Sequence, residues 1–282
     1  MDRKDYEEIT QEFLKGRARK MALEQIALFY KAKDCGSAKN KYSVGEDVFL
    51  KKGTLLHGTH KNFDGLKEIC KEDLISSWFR DGKITSKYPG GVGVWKLNKG
   101  FWVKDYVDFC SGGTIRYNGL VKNGKHIDDE RTEVIPFSKM PLLNQLVAKD
   151  PHRMWFMEQT KEARFMPCFM QDNVQVGIIF NGADKYCKQL LSKDILDPNA
   201  IDDRCVKSFV LKGIYKKFIE SRKQKDAFFT DRESAILFGL PANLIEGILV
   251  GRIYEKNKSM LKQIKKLLPN AYICNLDGKV IM

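Results

Sequence analysis

The chain has 282 residues, 43% of them hydrophobic and 11% aromatic, enough to bury one large core or two smaller ones, so the expectation is a folded globular protein of one or two domains. Its 49 Lys and Arg against 36 Asp and Glu leave a net charge of +13, which favours an anionic partner such as a nucleotide, a nucleic acid, lipid head groups or an acidic protein face. No stretch approaches the roughly eighteen uninterrupted apolar residues of a membrane span, and the N-terminus lacks the apolar core of a cleaved signal.

Seven cysteines, at positions 35, 70, 110, 168, 187, 205 and 274, show neither CxxC nor a zinc-type Cys/His spacing. Reduced thiols, a cytosolic compartment and no structural metal are expected. Tandem repeats are absent from the sequence, which argues against solenoids and propellers.

Residues 3 to 33 read as helix, because Tyr6, Ile9, Phe13, Met21, Ile26 and Phe29 recur at near-helical spacing, with Gly16 as a point of division into two. Lys15, Arg17, Arg19 and Lys20 form a basic cluster, either a contact for an anionic surface or a solvated helix face. Next, "KYSVGEDVFLKKGTLLHGT" reads as short strands broken by glycines. "NFDGLKEICKEDLISSWF" follows as helix, with Phe63, Leu66, Ile69, Cys70 and Leu74 on one stripe and Asp64 as its N-cap. His57 therefore falls on a strand end or loop that feeds a helix, where a rigid strand can hold a ligand-binding side chain in the open.

Residues 81 to 123, rich in glycine, aromatic and β-branched residues and broken by "PGG" and "SGG", predict strands and tight turns. "PLLNQLVAKDPHRMWFMEQTKEA" predicts a helical stretch interrupted at Pro151. "RFMPCFM" and "VQVGIIFN" predict strands, and "ADKYCKQLLSKDIL" and "CVKSFVLKGIYKKFIESRK" helices. In the last third "SAILFG", "GILVG" and "AYICNL" predict strands, Pro241 opens a short turn or helix, and "KSMLKQIKKLL" is a basic amphipathic helix. The pattern is α+β, with a mixed sheet and helices beside it instead of a repeating βαβ unit.

Three stretches carry chemistry. In "LLHGT", a strand-end histidine followed by glycine lets a flat ligand approach the backbone, while His57 and Thr59 offer donors and acceptors to a ribose hydroxyl or a carboxamide. The alternative is a histidine that satisfies a neighbouring carbonyl. "SGGTIRY" supplies the Ser111 and Thr114 hydroxyls, the Tyr117 ring and the Arg116 guanidinium, or is an ordinary hairpin turn.

Third, "KDAFFTDRESAILFGLP" places Glu233 at the entrance of an apolar strand, two residues after Asp231 and beyond the aromatics Phe228 and Phe229. A carboxylate there is held rigidly toward a cleft, or else pairs with Arg232 in a solvated turn. Neither glycine turn fits GxGxxG or the lysine-ended phosphate loop, and GxSxG and HExxH are absent from the sequence. A Cys/His pair joining His57 to Cys35, Cys70 or Cys110 has no local signature.

Taken together, these stretches resemble the ADP-ribosyltransferase family, in the branch typified by diphtheria toxin and the poly(ADP-ribose) polymerases. The first motif of that branch is a strand-borne His-Gly pair, which "LLHGT" resembles, followed here by a helix and the run Leu74-Ile75-Ser76. The resemblance covers residues 45 to 282 and implies an ADP-ribosyltransferase-like mixed β-sheet core with flanking helices, preceded by a helical extension over 1 to 44. It implies that His57, Gly58 and Thr59 bind the nicotinamide ribose and carboxamide of NAD, that Ser111 and Tyr117 form the second motif, and that Glu233 is the catalytic carboxylate.

Glu246 and Glu220 are rival carboxylates. NAD would be consumed as a substrate, with no metal. Arginine-specific members carry Glu or Gln two positions before the catalytic Glu, whereas this chain has Asp231, which points away from an arginine acceptor.

The resemblance therefore implies transfer to a protein acceptor, such as the threonine hydroxyl of ubiquitin modified by similar bacterial effectors, or to nucleic acid as in some toxins. The alternative outside the family is a non-enzymatic basic nucleic-acid-binding protein. The expected location is the cytoplasm, or a host cytosol reached without a cleaved signal.

Overall fold

A computed structural model describes residues 1–35, 41–59, 62–80, 92–97, 100–110, 113–117, 121–122, 125–126, 132–135, 154–157, 176–181 and 231–282. Two helices open the chain. The first, α1 (Arg3–Phe13), starts in a capping box: Asp2 accepts from the backbone N–H groups of Lys4 and Asp5 at 2.8 and 3.0 Å, and Asp5 accepts from the Asp2 N–H. The second, α2 (Gly16–Lys33), opens at Gly16, which is in the left-handed region at φ +56°, so glycine makes the division the sequence suggests. Arg19 turns back to donate to the Leu14 and Gln11 carbonyls at 2.6 and 2.9 Å, satisfying the end of α1. That residue of the basic cluster is spent on structure.

The main sheet has six strands: β1 (Leu55–Gly58), β2 (Val92–Leu97), β3 (Val176–Phe180), β4 (Asp231–Ile236), β5 (Ile245–Val250) and β6 (Tyr272–Asn275). Their spatial order is β4-β2-β1-β3-β5-β6. All neighbours are antiparallel except β5 and β6, which run parallel. Helix α5 (Lys258–Leu267) makes the crossover that a parallel pair requires.

Two further helices, α3 (Asn62–Glu72) and α4 (Val103–Cys110), complete the set used below. A separate three-stranded sheet joins residues 154–157, 113–117 and 132–135. The fold is α+β, with a mixed sheet.

Strand alternation divides the interior. Leu55, Ile178, Phe180, Ile248 and Ile273 face the larger core, which also holds Tyr6, Ile26 and Phe29 of the first two helices, Leu66 of α3 and Ile264 of α5. Leu56, Ile179, Leu249, Tyr272 and Cys274 face a smaller core covered by Val103, Tyr106 and Val107 of α4. The N-terminal helices thus share the larger core with the sheet.

At its centre Phe238 meets the rings of Tyr6, Phe29 and Phe79 edge-on, with centroids 4.9, 5.0 and 5.1 Å away. Its backbone is satisfied on both sides. Gln25 Oε1 accepts its N–H at 2.8 Å, and its carbonyl accepts from Ser76 N–H at 2.8 Å.

At the sheet's other end the chain returns along β6. Ile281 N–H donates to Ile273 O and Ile273 N–H to Met282 O, both at 2.8 Å, and Cys274 bridges Val280.

Several elements differ from the sequence expectation. Val103–Cys110 is helix, not strand, because Val103, Tyr106 and Val107 at helical spacing bury in the smaller core. Met154–Met157 is a strand within a stretch that reads as helical. Asp64 lies inside the first turn of α3, ion-paired with Lys67, and the helix opens at Asn62 instead. The helices expected over "ADKYCKQLLSKDIL" and "CVKSFVLKGIYKKFIESRK" and the strand "RFMPCFM" lie outside the described residues.

Gln25 is 3% exposed, so Gln25→Ala would leave the Phe238 N–H without its acceptor in a closed core. The expected loss is about 1–3 kcal/mol of stability, read as a lower urea midpoint at unchanged slope.

Candidate functional site

The histidine stretch forms β1 and the residue after it. Leu55, Leu56 and Gly58 are buried, Thr59 is 8% exposed, and His57 alone on the strand is half-buried. His57 Nδ1 stands 2.9 Å from the Gly93 carbonyl of β2 and donates its proton there. That bond fixes the ring's plane and requires a proton on Nδ1, since a carbonyl oxygen only accepts. On the other side His57 pairs in register with Ile178 of β3.

Thr59 is set by α3. Its carbonyl accepts from Asn62 N–H at 3.0 Å, and a Cβ built on Gly65 would collide with the Thr59 hydroxyl and its Cβ. Glycine at 65 lets the helix settle onto the threonine; no other residue fits without moving one of them.

The carboxylate candidates flank this strand. Glu233 is the third residue of β4, inside the strand, whereas the sequence sets it just before a strand that begins at Ser234. It pairs with Trp95 of β2, and Trp95 pairs with Leu56 of β1. Two strand spacings, about 10 Å, thus separate Glu233 from Leu56 in one row. Continued by one residue, the same register sets His57 against Val94, which pairs with Ser234. His57 and Glu233 therefore stand in consecutive rows of one sheet, and consecutive rows belong to opposite faces.

Glu246 lies two strands away on the other side, in β5. It is half-buried, and burial pushes its carboxyl above the ordinary 4.5 although Lys41 and Lys51 pull it down.

The second-motif candidate Tyr117 stands outside the main sheet. Tyr117 is on the strand 113–117 of the three-stranded sheet, opposite Met154. Ser111, Glu220 and His60 lie outside the described residues. Of the thiols weighed against His57, Cys35 is exposed, while burial pushes the half-buried Cys70 up to about 11, which leaves it protonated at neutral pH and a weak nucleophile. Among the described residues, no group of three His, Cys, Asp or Glu side chains could hold a metal ion, and no helix is long and apolar enough to cross a membrane.

Two cavities lie elsewhere. One of about 450 Å³ is lined by Asp47, Trp102, Lys104, Asp105, Asp277 and Lys279. The other, of about 360 Å³, sits where α2 and α3 meet and includes Tyr30, whose hydroxyl burial pushes up to about 12. The Gly93 carbonyl and Gly65 are the parts of the histidine's setting that sequence reading missed; both are long-range contacts with no local signature. Comparison with protein-family models, with curated proteins and with solved structures gives no match for the chain.

Two outcomes follow from this geometry. Gly65→Ala should push Thr59 and α3 apart and destabilise the protein by about 1–3 kcal/mol, measured by chemical unfolding.

Because the Glu246 carboxyl is raised in the folded state, the stability it supplies is complete below its ordinary value and is lost as pH rises through the folded value. Glu246→Gln should therefore raise the unfolding midpoint at neutral pH. The gain should vanish as pH falls below 4.5.

Proposed function

We propose that the chain is an NAD-dependent mono-ADP-ribosyltransferase with an ADP-ribosyltransferase-like core. The observation that carries the reading is the end of β1, where a half-buried imidazole, oriented by a backbone carbonyl, is followed by a buried glycine and a buried threonine under a helix. This setting suits a flat carboxamide and a ribose, since glycine adds no side chain at the strand end and the imidazole beside it is held in one plane.

In the reaction the bond between nicotinamide and the ribose carbon breaks, and nicotinamide leaves with the bonding electron pair. Positive charge then grows on the ribose as an oxocarbenium-like centre. Glu233 hydrogen-bonds a ribose hydroxyl and offsets that charge, which is worth most in a site that excludes water. His57 orients the substrate and transfers no proton. Thr59, Ser111 and Tyr117 complete the surroundings of nicotinamide and its ribose.

The acceptor is a protein hydroxyl, of the kind a threonine of ubiquitin offers: its oxygen bonds to the ribose carbon and its proton is released. The residue at 231, Asp where arginine-specific members carry Glu or Gln, supports a hydroxyl acceptor. The place of action under this reading is the cytoplasm or a host cytosol.

The register that sets Glu233 one row from His57, on the alternate face of the sheet, counts against both residues meeting one ribose and makes Glu233 the part of the reading to test first. Purified protein is incubated with NAD labelled in the adenylate half and a cell lysate, and both nicotinamide release and protease-sensitive label are followed. Glu233→Gln should lower nicotinamide release by roughly 10²–10³-fold at unchanged fold, whereas Ser234→Ala and Glu246→Gln should retain it. Activity that survives Glu233→Gln removes that residue from the reaction. A wild-type protein that consumes no NAD, yet binds an oligonucleotide with steep salt dependence, is instead the nucleic-acid-binding alternative.

A further inference from the structure

Two phenol hydroxyls on the wall of the 360 Å³ cavity bond nothing in the protein. They belong to Tyr6 of α1 and Tyr30 of α2. Tyr6 is only 5% exposed, yet among the described residues no hydrogen bond reaches its hydroxyl or that of Tyr30. A buried polar group without a partner costs stability, and folded proteins seldom leave one without a reason.

Burial pushes the Tyr6 hydroxyl up although Arg80 pulls it down; burial, and then Tyr6 itself, push Tyr30 up to about 12. Both hydroxyls therefore keep their protons at neutral pH, and they lie within electrostatic reach of each other and of the Arg80 guanidinium.

The remaining polar groups of the wall are largely taken up. Asp73 accepts from Lys33 Nζ at 2.7 Å with one oxygen and from the Ala242 N–H at 2.8 Å with the other. Lys71 stands 3.9 Å from Glu72. Arg80, at the end of the short helix Ser77–Arg80, gives Nη2 to the Ile75 carbonyl at 3.0 Å, and among the described residues it has no carboxylate partner. A guanidinium only donates, so most of its capacity is open. The wall thus presents donors, two hydroxyls and a guanidinium, with Arg80 as its uncompensated cationic side chain. Beside them the rings of Tyr6 and Tyr30 and the buried Phe29 and Ile75 are apolar.

A carboxylate accepts only and carries a single charge, and its two oxygens can take a guanidinium and both hydroxyls together. A phosphate monoester would bring a second negative charge beside Glu72 and Asp73. A neutral amide would leave Arg80 uncompensated and would add donors to a wall of donors.

We propose that this cavity binds a small monocarboxylate with an apolar body, its carboxylate held by Arg80 and the Tyr6 and Tyr30 hydroxyls and its body against Phe29 and Ile75. The site shares no residue with the one at β1 and is independent of the activity proposed above.

The test is calorimetric titration of the full chain with benzoate, benzamide and phenyl phosphate, which share a ring and differ in the polar group. Benzoate should bind with a Kd of about 1 mM or below. Benzamide and phenyl phosphate should each bind at least about tenfold more weakly. Tyr6→Phe, Tyr30→Phe and Arg80→Gln should each weaken benzoate about tenfold or more, as expected for the loss of a hydrogen bond to a charged group.

Tyr6→Phe gives a second readout, which a structural role would move the other way. Without ligand its urea midpoint should hold or rise, because the hydroxyl removed bonds nothing in the protein. Benzamide binding as tightly as benzoate, phenyl phosphate binding more tightly, tyrosine variants that bind benzoate as the wild type does, or a lowered midpoint for Tyr6→Phe would each overturn the proposal. So would a wild-type protein that takes up no benzoate at about 10 mM.

Discussion

The burial of Phe238 is the constraint on which the larger core depends. Its ring is met edge-on by Tyr6 of α1, Phe29 of α2 and Phe79 of the segment after α3, so three separate pieces of chain converge on one side chain. Its N–H is taken by Gln25 and its carbonyl by Ser76, so the bend after β4 has no polar backbone group left unpaired at that residue. A second network closes the same region. Asp73 bonds Lys33 Nζ and the Ala242 N–H, at 2.7 and 2.8 Å, while Asn243 Nδ2 donates to the last carbonyls of α2 at Ala32 and Lys33. The end of α2, the end of α3 and the turn before β5 are thereby held in one arrangement.

That arrangement matters for the candidate site because β1 has no freedom of its own. It is hydrogen-bonded to β2 on one side and β3 on the other, its leucines face two different cores, and α3 sits through Gly65 on Thr59, the residue that follows it. The only partly exposed position on the strand is His57, whose ring is fixed by Gly93. Binding groups fixed in advance lose little entropy when a ligand arrives, which is the physical advantage of placing a recognition histidine on a central strand.

Much of the fold was legible in the sequence where a single period dominates. The split of the first helices at Gly16, the strands around "GIIF" and "GILV", and the amphipathic helix between β5 and β6 all follow from local pattern. The segment Val103–Cys110 was misread because its aromatic and β-branched composition suggests strand, although Val103, Tyr106 and Val107 already carry helical spacing. Composition outweighed period there, and tertiary burial decided the matter. Within the candidate site the strand that ends just after His57 was readable, and so was a late strand near Glu233, although it begins three residues earlier than expected, at Asp231. The row in which Glu233 falls was not, because register across three strands depends on pairing between residues far apart in sequence.

The return of the last residues along β6 has a consequence for the molecule in crowded solution. A parallel strand at the rim of a sheet offers unpaired amide and carbonyl groups, the template on which a second copy can add. Here Ile273 already exchanges hydrogen bonds with Ile281 and Met282, and Cys274 bridges Val280, so the chain occupies its own rim. Growth of the sheet into a neighbouring molecule is closed on that side by these few residues, whose contribution is to solubility as much as to the fold.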